Sequence, residues 1–355
     1  MGMSSASNYS FGARLLHCLA LGSDSIAQMA FDLDRLLFQG SDSEDPACER
    51  GSHVFIAGLA RAGTTLLMRL IYQTGDFCSL TYRDMPFVTA PNLWRKLRRG
   101  SELSKAAEER AHADGLLVDF DSPEALEEVF WRVFCGKYYI AQDHLATMDA
   151  SDALVDQFRH YIKQILKSYG GCRYLSKNNN NMLRFPSIRR AFPEAIILVP
   201  FRNPLGQASS LLRQHMHFKS LQVKAPFVRR YMRWLVHHEF GADHRPFEWA
   251  REATSTCDDN TLEYWLSVWY KIYSALLLQL EDPALALTAV NYDHLCAEPE
   301  NCWAAIAKRV GIAESLPEGL IVRRSSAQNA VTIDGELMEQ PMALYDKLIA
   351  LSRRQ

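Results

Sequence analysis

The run His53-Val54-Phe55-Ile56-Ala57-Gly58-Leu59-Ala60-Arg61-Ala62-Gly63-Thr64-Thr65-Leu66-Leu67 constrains the fold more than any other part of this chain. Val54 to Ala57 are apolar and β-prone, Gly58 and Gly63 bound a loop, and Leu66, Leu67, Leu70 and Ile71 recur at helical spacing. A strand passing through a glycine-bounded loop into a helix N-terminus is the layout that cradles phosphate with backbone N–H groups. The spacing follows G-x-x-x-x-G-K-[ST] with one change. Thr64 stands where that pattern has its lysine, and the cation has moved into the loop as Arg61.

That change redirects the chemistry. The missing lysine is the group that reaches the β- and γ-phosphates of a triphosphate. A loop without it keeps its grip on one phosphate, so the expected ligand is a nucleotide with a single 5′-phosphate carrying a group for transfer. Arg61 would stand beside the bond that breaks and neutralise charge on the leaving oxygen. A second segment, Ala195 to Phe201, reads as a buried strand, with Pro200 tolerable only at its end. Arg202-Asn203-Pro204 follows, then a helical stretch from Leu205 to Gln214 that carries Ser209, Ser210 and Arg213. A nucleoside triphosphatase offers an acid at such a strand end to hold Mg²⁺; this strand ends in a guanidinium. Arg202 with Ser210, two helical turns on, predicts a second anion site.

Together the two segments resemble the sulfotransferase superfamily, whose donor is 3′-phosphoadenosine 5′-phosphosulfate (PAPS). Gly58 to Leu66 is similar to its 5′-phosphosulfate loop, which implies donor contacts from Arg61, Ala62, Gly63, Thr64 and Thr65. Arg202-Asn203-Pro204 through Ser210 is similar to its 3′-phosphate motif. Ser176-Lys177-Asn178 and Asn291-Tyr292-Asp293-His294-Leu295 with Pro299 are weaker echoes, and the likeness spans residues 50–315. Two departures stand out: Ala62 replaces a common serine, and Asn203 replaces an aspartate whose charge would orient Arg202. The resemblance implies sulfuryl transfer from PAPS to a hydroxyl or amine acceptor, leaving 3′-phosphoadenosine 5′-phosphate (PAP), without a metal. Two other readings stay open. A P-loop nucleotide or small-molecule kinase would need lysine at position 64 and an acid at the strand end. A non-catalytic nucleotide-binding protein would keep the fold without turnover.

Transfer to a hydroxyl calls for a general base, which in the family is a histidine or a carboxylate on the substrate side. Asp84, in the loop after the Leu66–Ile71 helix, is the first choice; tyrosylprotein-type relatives carry a glutamate in the corresponding loop. His112, Asp114, Glu127 and Glu128 are further candidates. Lys177 is expected as a second cation beside the transferred group; Arg323-Arg324 reads equally as a late return toward the 3′-phosphate or as an ordinary solvated basic turn. His215 and His217 are read as structural. The aromatic residues between 227 and 273, among them Tyr231, His237 and Phe240, are candidates for an acceptor wall.

Alternating strands and helices predict an α/β, three-layer P-loop-type domain with a mostly parallel central sheet flanked by helices, an N-terminal helical extension and helical lid insertions. The expected division is an extension and linker over 1–52, the nucleotide domain over 53–315 with a helical substrate region at about 210–280, and a C-terminal loop and helix over 316–355. Phe11 to Phe38 reads as helix broken near Gly22-Ser23-Asp24, with Leu15, Leu19, Ile26, Met29, Leu33 and Leu36 on its apolar stripe. Ser101 to Gly115 and Pro226 to Phe240 also read as helices. A net charge of −2 gives no global pull toward nucleic acid or membrane. No apolar run approaches the ~20 residues of a membrane span. The eight cysteines show no C-x-x-C pair or zinc spacing. Reduced thiols and a cytoplasmic setting are expected, with a carbohydrate, lipid or other small-molecule acceptor as partner.

Overall fold

The structure is a computed structural model that describes residues 11–38, 52–98, 125–171, 173–255, 257–317 and 335–354, with the backbone of 108–109 and 117–118. Two helices, α1 (Phe11–Gly22) and α2 (Asp24–Phe38), precede strand β1 (Val54–Ile56) and helix α3 (Thr64–Tyr72). Then come α4 (Pro91–Leu97), β2 (Glu108–Glu109), β3 (Leu117–Val118), α5 (Glu128–Tyr139), α6 (Asp152–Tyr169), β4 (Leu175–Lys177), α7 (Phe185–Ala191) and β5 (Ile196–Phe201). The remainder is α8 (Pro204–Lys224), α9 (Pro226–Trp234), α10 (Glu248–Thr254), α11 (Leu262–Leu280), β6 (Leu287–Asn291), α12 (Tyr292–Ala297), α13 (Pro299–Val310) and α14 (Gly335–Ser352).

The main sheet has strand order β4-β1-β5-β6, and its three pairings are parallel. Its strands are short apolar runs, as expected of a sheet covered on both faces. Alternation along β1 sends Val54 and Ile56 to one core with Leu67, Leu70, Ile71 and Trp303, from α3 and α13. Phe55 and Ala57 enter the other core, with Phe130, Phe158 and Tyr273 from α5, α6 and α11. The result is the expected three-layer α/β architecture. Because all four strands run the same way, their carboxyl ends gather at one edge, where such folds bind ligands. Lys177 ends β4, the 58–63 loop follows β1, Arg202 follows β5, and Tyr292-Asp293 follow β6.

Three local expectations are corrected. The leucine-rich stripe of α1 and α2 faces outward: Leu15, Met29 and Leu36 are exposed, while Ala20, Leu21, Ala27 and Phe31 are buried. Both faces of these helices are apolar, and the inward one carries alanines that permit close packing and Phe31, which meets Phe134 edge-on at 5.0 Å. Within 101–115, Glu108–Glu109 pairs antiparallel with Leu117–Val118 as a strand, not a helix. Helix α9 ends at Trp234, short of Phe240, because Val236 takes a left-handed conformation (φ 54°). Among the described residues no helix is long and apolar enough to cross a membrane, and Cys18, Cys78, Cys135, Cys257, Cys296 and Cys302 are free thiols.

Candidate active site

The loop after β1 is pinned from two sides. A Cβ on Gly58 would lie 2.9 Å from the Pro200 carbonyl oxygen, so only glycine lets the chain leave β1 this close to β5. Gly63 has φ 85°, and a Cβ there would come within 2.1 Å of the Tyr292 ring. Between them the buried Gln207 of α8 donates to the carbonyls of Leu59 (3.2 Å) and Ala60 (2.9 Å). Trp269 Nε1 holds the Gln207 amide oxygen in turn, at 3.0 Å. Arg61 is left-handed (φ 69°), which costs a non-glycine residue about 1–2 kcal/mol. Helix α3 begins at Thr64 with no side-chain cap, so its positive N-terminal end is turned to the cleft. Ala62, Thr64 and Thr65 are all buried.

Arg61 and Ser210, assigned by sequence to opposite ends of a nucleotide, touch: Arg61 Nε donates to Ser210 Oγ at 3.0 Å. The contact follows from β1 and β5 being neighbours in register, Ile56 opposite Leu198. Arg202 opens α8 on the same edge. Its guanidinium lies over the Tyr292 ring at 5.1 Å, and its buried Nε has no hydrogen-bond partner among the described residues. The carboxylate missing at position 203 is supplied from after β6, since Asp293 Oδ1 stands 4.0 Å from Arg202 Nε. Asp293 is itself held by the Asn203 N–H (2.6 Å) and the Tyr345 hydroxyl (2.8 Å). Asn203 instead caps α8, its side-chain oxygen accepting from Gly206 N at 3.2 Å. Burial, and then the nearby charge of Arg202, hold Arg213 below its ordinary range. Two guanidinium groups thus face one region with a single half-engaged carboxylate beside them, an arrangement that favours an anion.

A narrow cleft of about 50 Å³ opens beside the loop. Its lining includes Ala60, Arg61, Thr64 and Thr65 from the loop and α3, Lys177 and Asn179 from the end of β4 and the turn after it, and Tyr231, Met232, Leu235 and Phe240 from α9 and beyond. His237 and Glu239 complete the wall. They follow Val236, whose φ of 54° is a strained conformation for a β-branched residue, costing on the order of 1–3 kcal/mol. The turn is fixed by His237 N donating to Met232 O (2.9 Å) and Asn180 Nδ2 to Val236 O (3.4 Å). Asn179 Nδ2 donates to Glu239 Oε1 at 3.0 Å, and His237 Nδ1 lies 3.5 Å from Glu239 Oε2. Burial alone would raise the Glu239 carboxyl, but His237 and Lys177 outweigh it and hold Glu239 down at about 2.

The other candidates lie elsewhere. Asp84 does not line the cleft, where Tyr82 stands in its place. Its buried carboxylate closes a capping box with Thr81, accepting from Thr81 N at 2.8 Å, and also accepts from the Tyr169 hydroxyl. Burial pushes it up to about 6 against those hydrogen bonds. Glu127 and Glu128 are neither solvated nor in the cleft. Glu128 pairs with the buried Arg184 at 3.0 Å and accepts from Asn178, and Glu127 accepts from Asn181 and Tyr174. They anchor the 178–184 turn from beneath and so support Asn179. His215 is buried against Trp265 and lies 3.4 Å from Asp259, a structural position. His112, Asp114, Arg323 and Arg324 fall outside the described residues. Of the aromatic group between 227 and 273, Tyr231, His237 and Phe240 reach the cleft, whereas Trp265, Trp269 and Tyr273 are core. Glu239 and Gln207 were not singled out in the sequence. Gln207 could have been sought as a polar residue on the inner face of α8; Glu239 lay hidden in a helix read too long.

The parallel sheet collects Arg61, Lys177 and Arg202 near the carboxyl ends of its strands, a cationic edge on an α/β fold. The model of the Sulfotransferase family matches residues 53–245, more than half of the 355 residues, and the chain belongs to that family. It is by that membership a sulfotransferase-type enzyme. Among solved structures it is similar to sulfotransferase STF1 from Mycobacterium tuberculosis H37Rv (14% identity, 99% of this chain and 89% of that one, TM-score 0.46). It is also similar to a sulfotransferase from Alicyclobacillus acidocaldarius (13% identity, 85% and 94% covered, TM-score 0.39). A third is sulfotransferase STF9 from Mycobacterium avium (11% identity, 91% and 74% covered, TM-score 0.43). No curated protein matches the sequence.

Proposed function

We propose that the protein transfers a sulfuryl group from PAPS to a hydroxyl or amine on a small-molecule, carbohydrate or lipid acceptor, in a cytoplasmic setting. The observation that carries this is the Arg61–Ser210 hydrogen bond at 3.0 Å, which joins the loop after β1 to the helix bearing Arg202. A single nucleotide lying across that junction can engage both. In this reading the 58–65 loop and the α3 N-terminus hold the 5′-phosphosulfate through Arg61, Ala62, Gly63, Thr64 and Thr65. Arg202 and Ser210 hold the 3′-phosphate. The residues fit a ligand with two separated anionic groups: the guanidinium of Arg202 stands 4.0 Å from the Asp293 carboxylate, too far for a full ion-pair hydrogen bond, on the same edge as the uncapped α3 N-terminus. Arg61, freed from Ser210, stabilises charge on the leaving phosphate oxygen, and Lys177 in the cleft lining neutralises the transferred group. Residues 53–315 form the nucleotide domain, with 210–280 as its substrate side.

The kinase reading is weaker because position 64 is threonine and the β5 end is Arg202. Thermal shift with PAP against ATP and Mg²⁺ separates the two. PAP is expected to raise the melting temperature strongly, MgATP to do little, and Arg202→Ala to abolish most of the PAP response. Equal responses to both nucleotides would count against PAPS.

A further inference from the structure

We propose that His237 is the base that takes the acceptor's proton, that Glu239 is the positioning residue that orients it, and that the acceptor is a hydroxyl carried on an uncharged, apolar body. The proposal rests on the PAPS reading and deepens its acceptor side.

The geometry has three parts. Glu239 is the carboxylate that lines the cleft, yet its Oε2 is fully covered and has no hydrogen-bond partner among the described residues. An acceptor cannot reach that oxygen; the ring of His237 can, with Nδ1 3.5 Å away. A carboxylate facing Nδ1 favours the tautomer with its proton there and leaves Nε2 as the basic nitrogen. Asn179 fixes the other carboxylate oxygen at 3.0 Å, and Asn179 is itself seated on the turn tied to Glu127 and Glu128 through Asn181 and Asn178. Second, the residue before His237 is Val236 in a left-handed conformation. Arg61, in the lining of the same cleft, is also left-handed. Strain of this kind persists where surrounding packing holds a side chain in a functional direction. Third, the walls around His237 are Tyr231, Met232, Leu235 and Phe240, which suit an apolar body and leave a charged acceptor without a partner other than the occupied cations.

The step balances. The acceptor oxygen forms a bond to sulfur, and the bond between sulfur and the 5′-phosphate oxygen breaks, its electron pair staying on that phosphate to give PAP. The acceptor's proton passes to His237 Nε2, and Glu239 offsets the imidazolium charge until the proton leaves to solvent. The charged and hydroxyl-bearing residues that line the cleft with His237 are Glu239, Lys177, Arg61, Thr64, Thr65, Tyr82 and Tyr231.

The test combines binding, NMR and turnover. PAP affinity is measured by calorimetry for the native protein, His237→Ala and Glu239→Gln, and is expected to agree within about twofold. Single-turnover transfer from labelled PAPS to 2-naphthol is expected to fall 10²–10⁴-fold in His237→Ala and about tenfold in Glu239→Gln, with part of the rate restored by Glu239→Asp. In ¹⁵N spectra the native His237 ring should carry its proton on Nδ1, and that tautomer preference should weaken in Glu239→Gln. A His237→Ala enzyme within threefold of the native rate, or a ring protonated on Nε2 whose tautomer ignores Glu239→Gln, overturns the assignment. Native protein that binds PAP but leaves 2-naphthol unsulfated overturns the apolar-acceptor half, and the NMR result then decides the dyad alone. Native protein that fails to bind PAP sinks the nucleotide reading instead.

Discussion

The proposed donor end of the cleft is built from short-range backbone geometry, and the proposed acceptor end from long-range packing. At the donor end, Arg61 and Arg202 each leave the carboxyl end of a parallel strand and sit within a few residues of a helix N-terminus, at Thr64 and at Pro204. Gly58 and Gly63 are required there by contacts at 2.9 and 2.1 Å. At the acceptor end, His237 and Glu239 ride on a turn after α9, and partners far along the chain hold them: Asn179 and Asn180 from the turn after β4, and Lys177 in the cleft lining. Buried carboxylates outside and inside the cleft are also treated in opposite ways. Asp84, outside the cleft, is pushed up to about 6 by burial, while Glu239, inside it, is held at about 2 by His237 and Lys177. One side of a site can thus be carried by local motif while the other depends on packing between distant segments.

The contrast can be broken most sharply at Arg61. Arg61→Ala should lower single-turnover sulfuryl transfer by about 10²–10³-fold, while PAP binding weakens far less. A loss confined to affinity would make Arg61 a binding residue only. Next in size is the backbone of the donor loop. Gly63→Ala places a Cβ 2.1 Å from Tyr292 at φ 85°, whereas Gly75→Ala meets nothing within 4 Å at φ 80°. Urea unfolding should show a loss of roughly 2–4 kcal/mol for the first and about 1 kcal/mol for the second. Equal losses would mean that the φ angle, and not the Tyr292 contact, fixes the loop.

The carboxylates sharpen the comparison by pH. Asp84 has a folded value of about 6, above its ordinary 3.8. The native state therefore binds the extra proton, and the contribution is full below pH ~4 and lost as pH rises through ~6. Relative to Asp84→Asn, the native protein should lose up to roughly 3 kcal/mol across that window. Glu239 has the opposite sign: its contribution is present above its ordinary 4.5 and lost as pH falls toward 2. Denaturation midpoints of the native protein, Asp84→Asn and Glu239→Gln between pH 3 and 7 check both, and parallel curves would remove the distinction. The smallest effect is expected at Tyr292. Removing the ring over Arg202 in Tyr292→Leu should weaken PAP by a few-fold, in keeping with ~0.5–1 kcal/mol for such a contact, as read by calorimetry.

The same division explains what could be read in the sequence. The strands around 54 and 196, the glycine-bounded loop and the helix cap at Gly311 are local signals, and each stands where expected. The order of the sheet was not legible; the sequence placed Arg61 and Arg202 on one edge on the condition that their strands are neighbours, and β1 and β5 do pair. The family likeness carried by those segments is matched by membership over residues 53–245. The acceptor side was illegible because the stop after α9 has no glycine or proline to announce it; Val236 is forced left-handed by its surroundings. Helix propensity therefore ran on to Phe240 and hid Glu239. For the same reason Asp84 looked available: in sequence it is a loop acid, and only the folded chain brings Tyr169 onto its carboxylate. The outward leucines of α2 failed for a third reason, since two apolar faces compete and periodicity alone does not choose between them.

The claim that one nucleotide spans both cationic groups is tested most directly by a binding cycle. PAP and adenosine 5′-phosphate, which lacks the 3′-phosphate, are titrated calorimetrically into the native protein and Arg202→Ala. The single-nucleotide site predicts that the 3′-phosphate strengthens native binding by at least tenfold and that this advantage vanishes in Arg202→Ala, while adenosine 5′-phosphate binds both proteins alike. An undiminished 3′-phosphate advantage in the variant would contradict it.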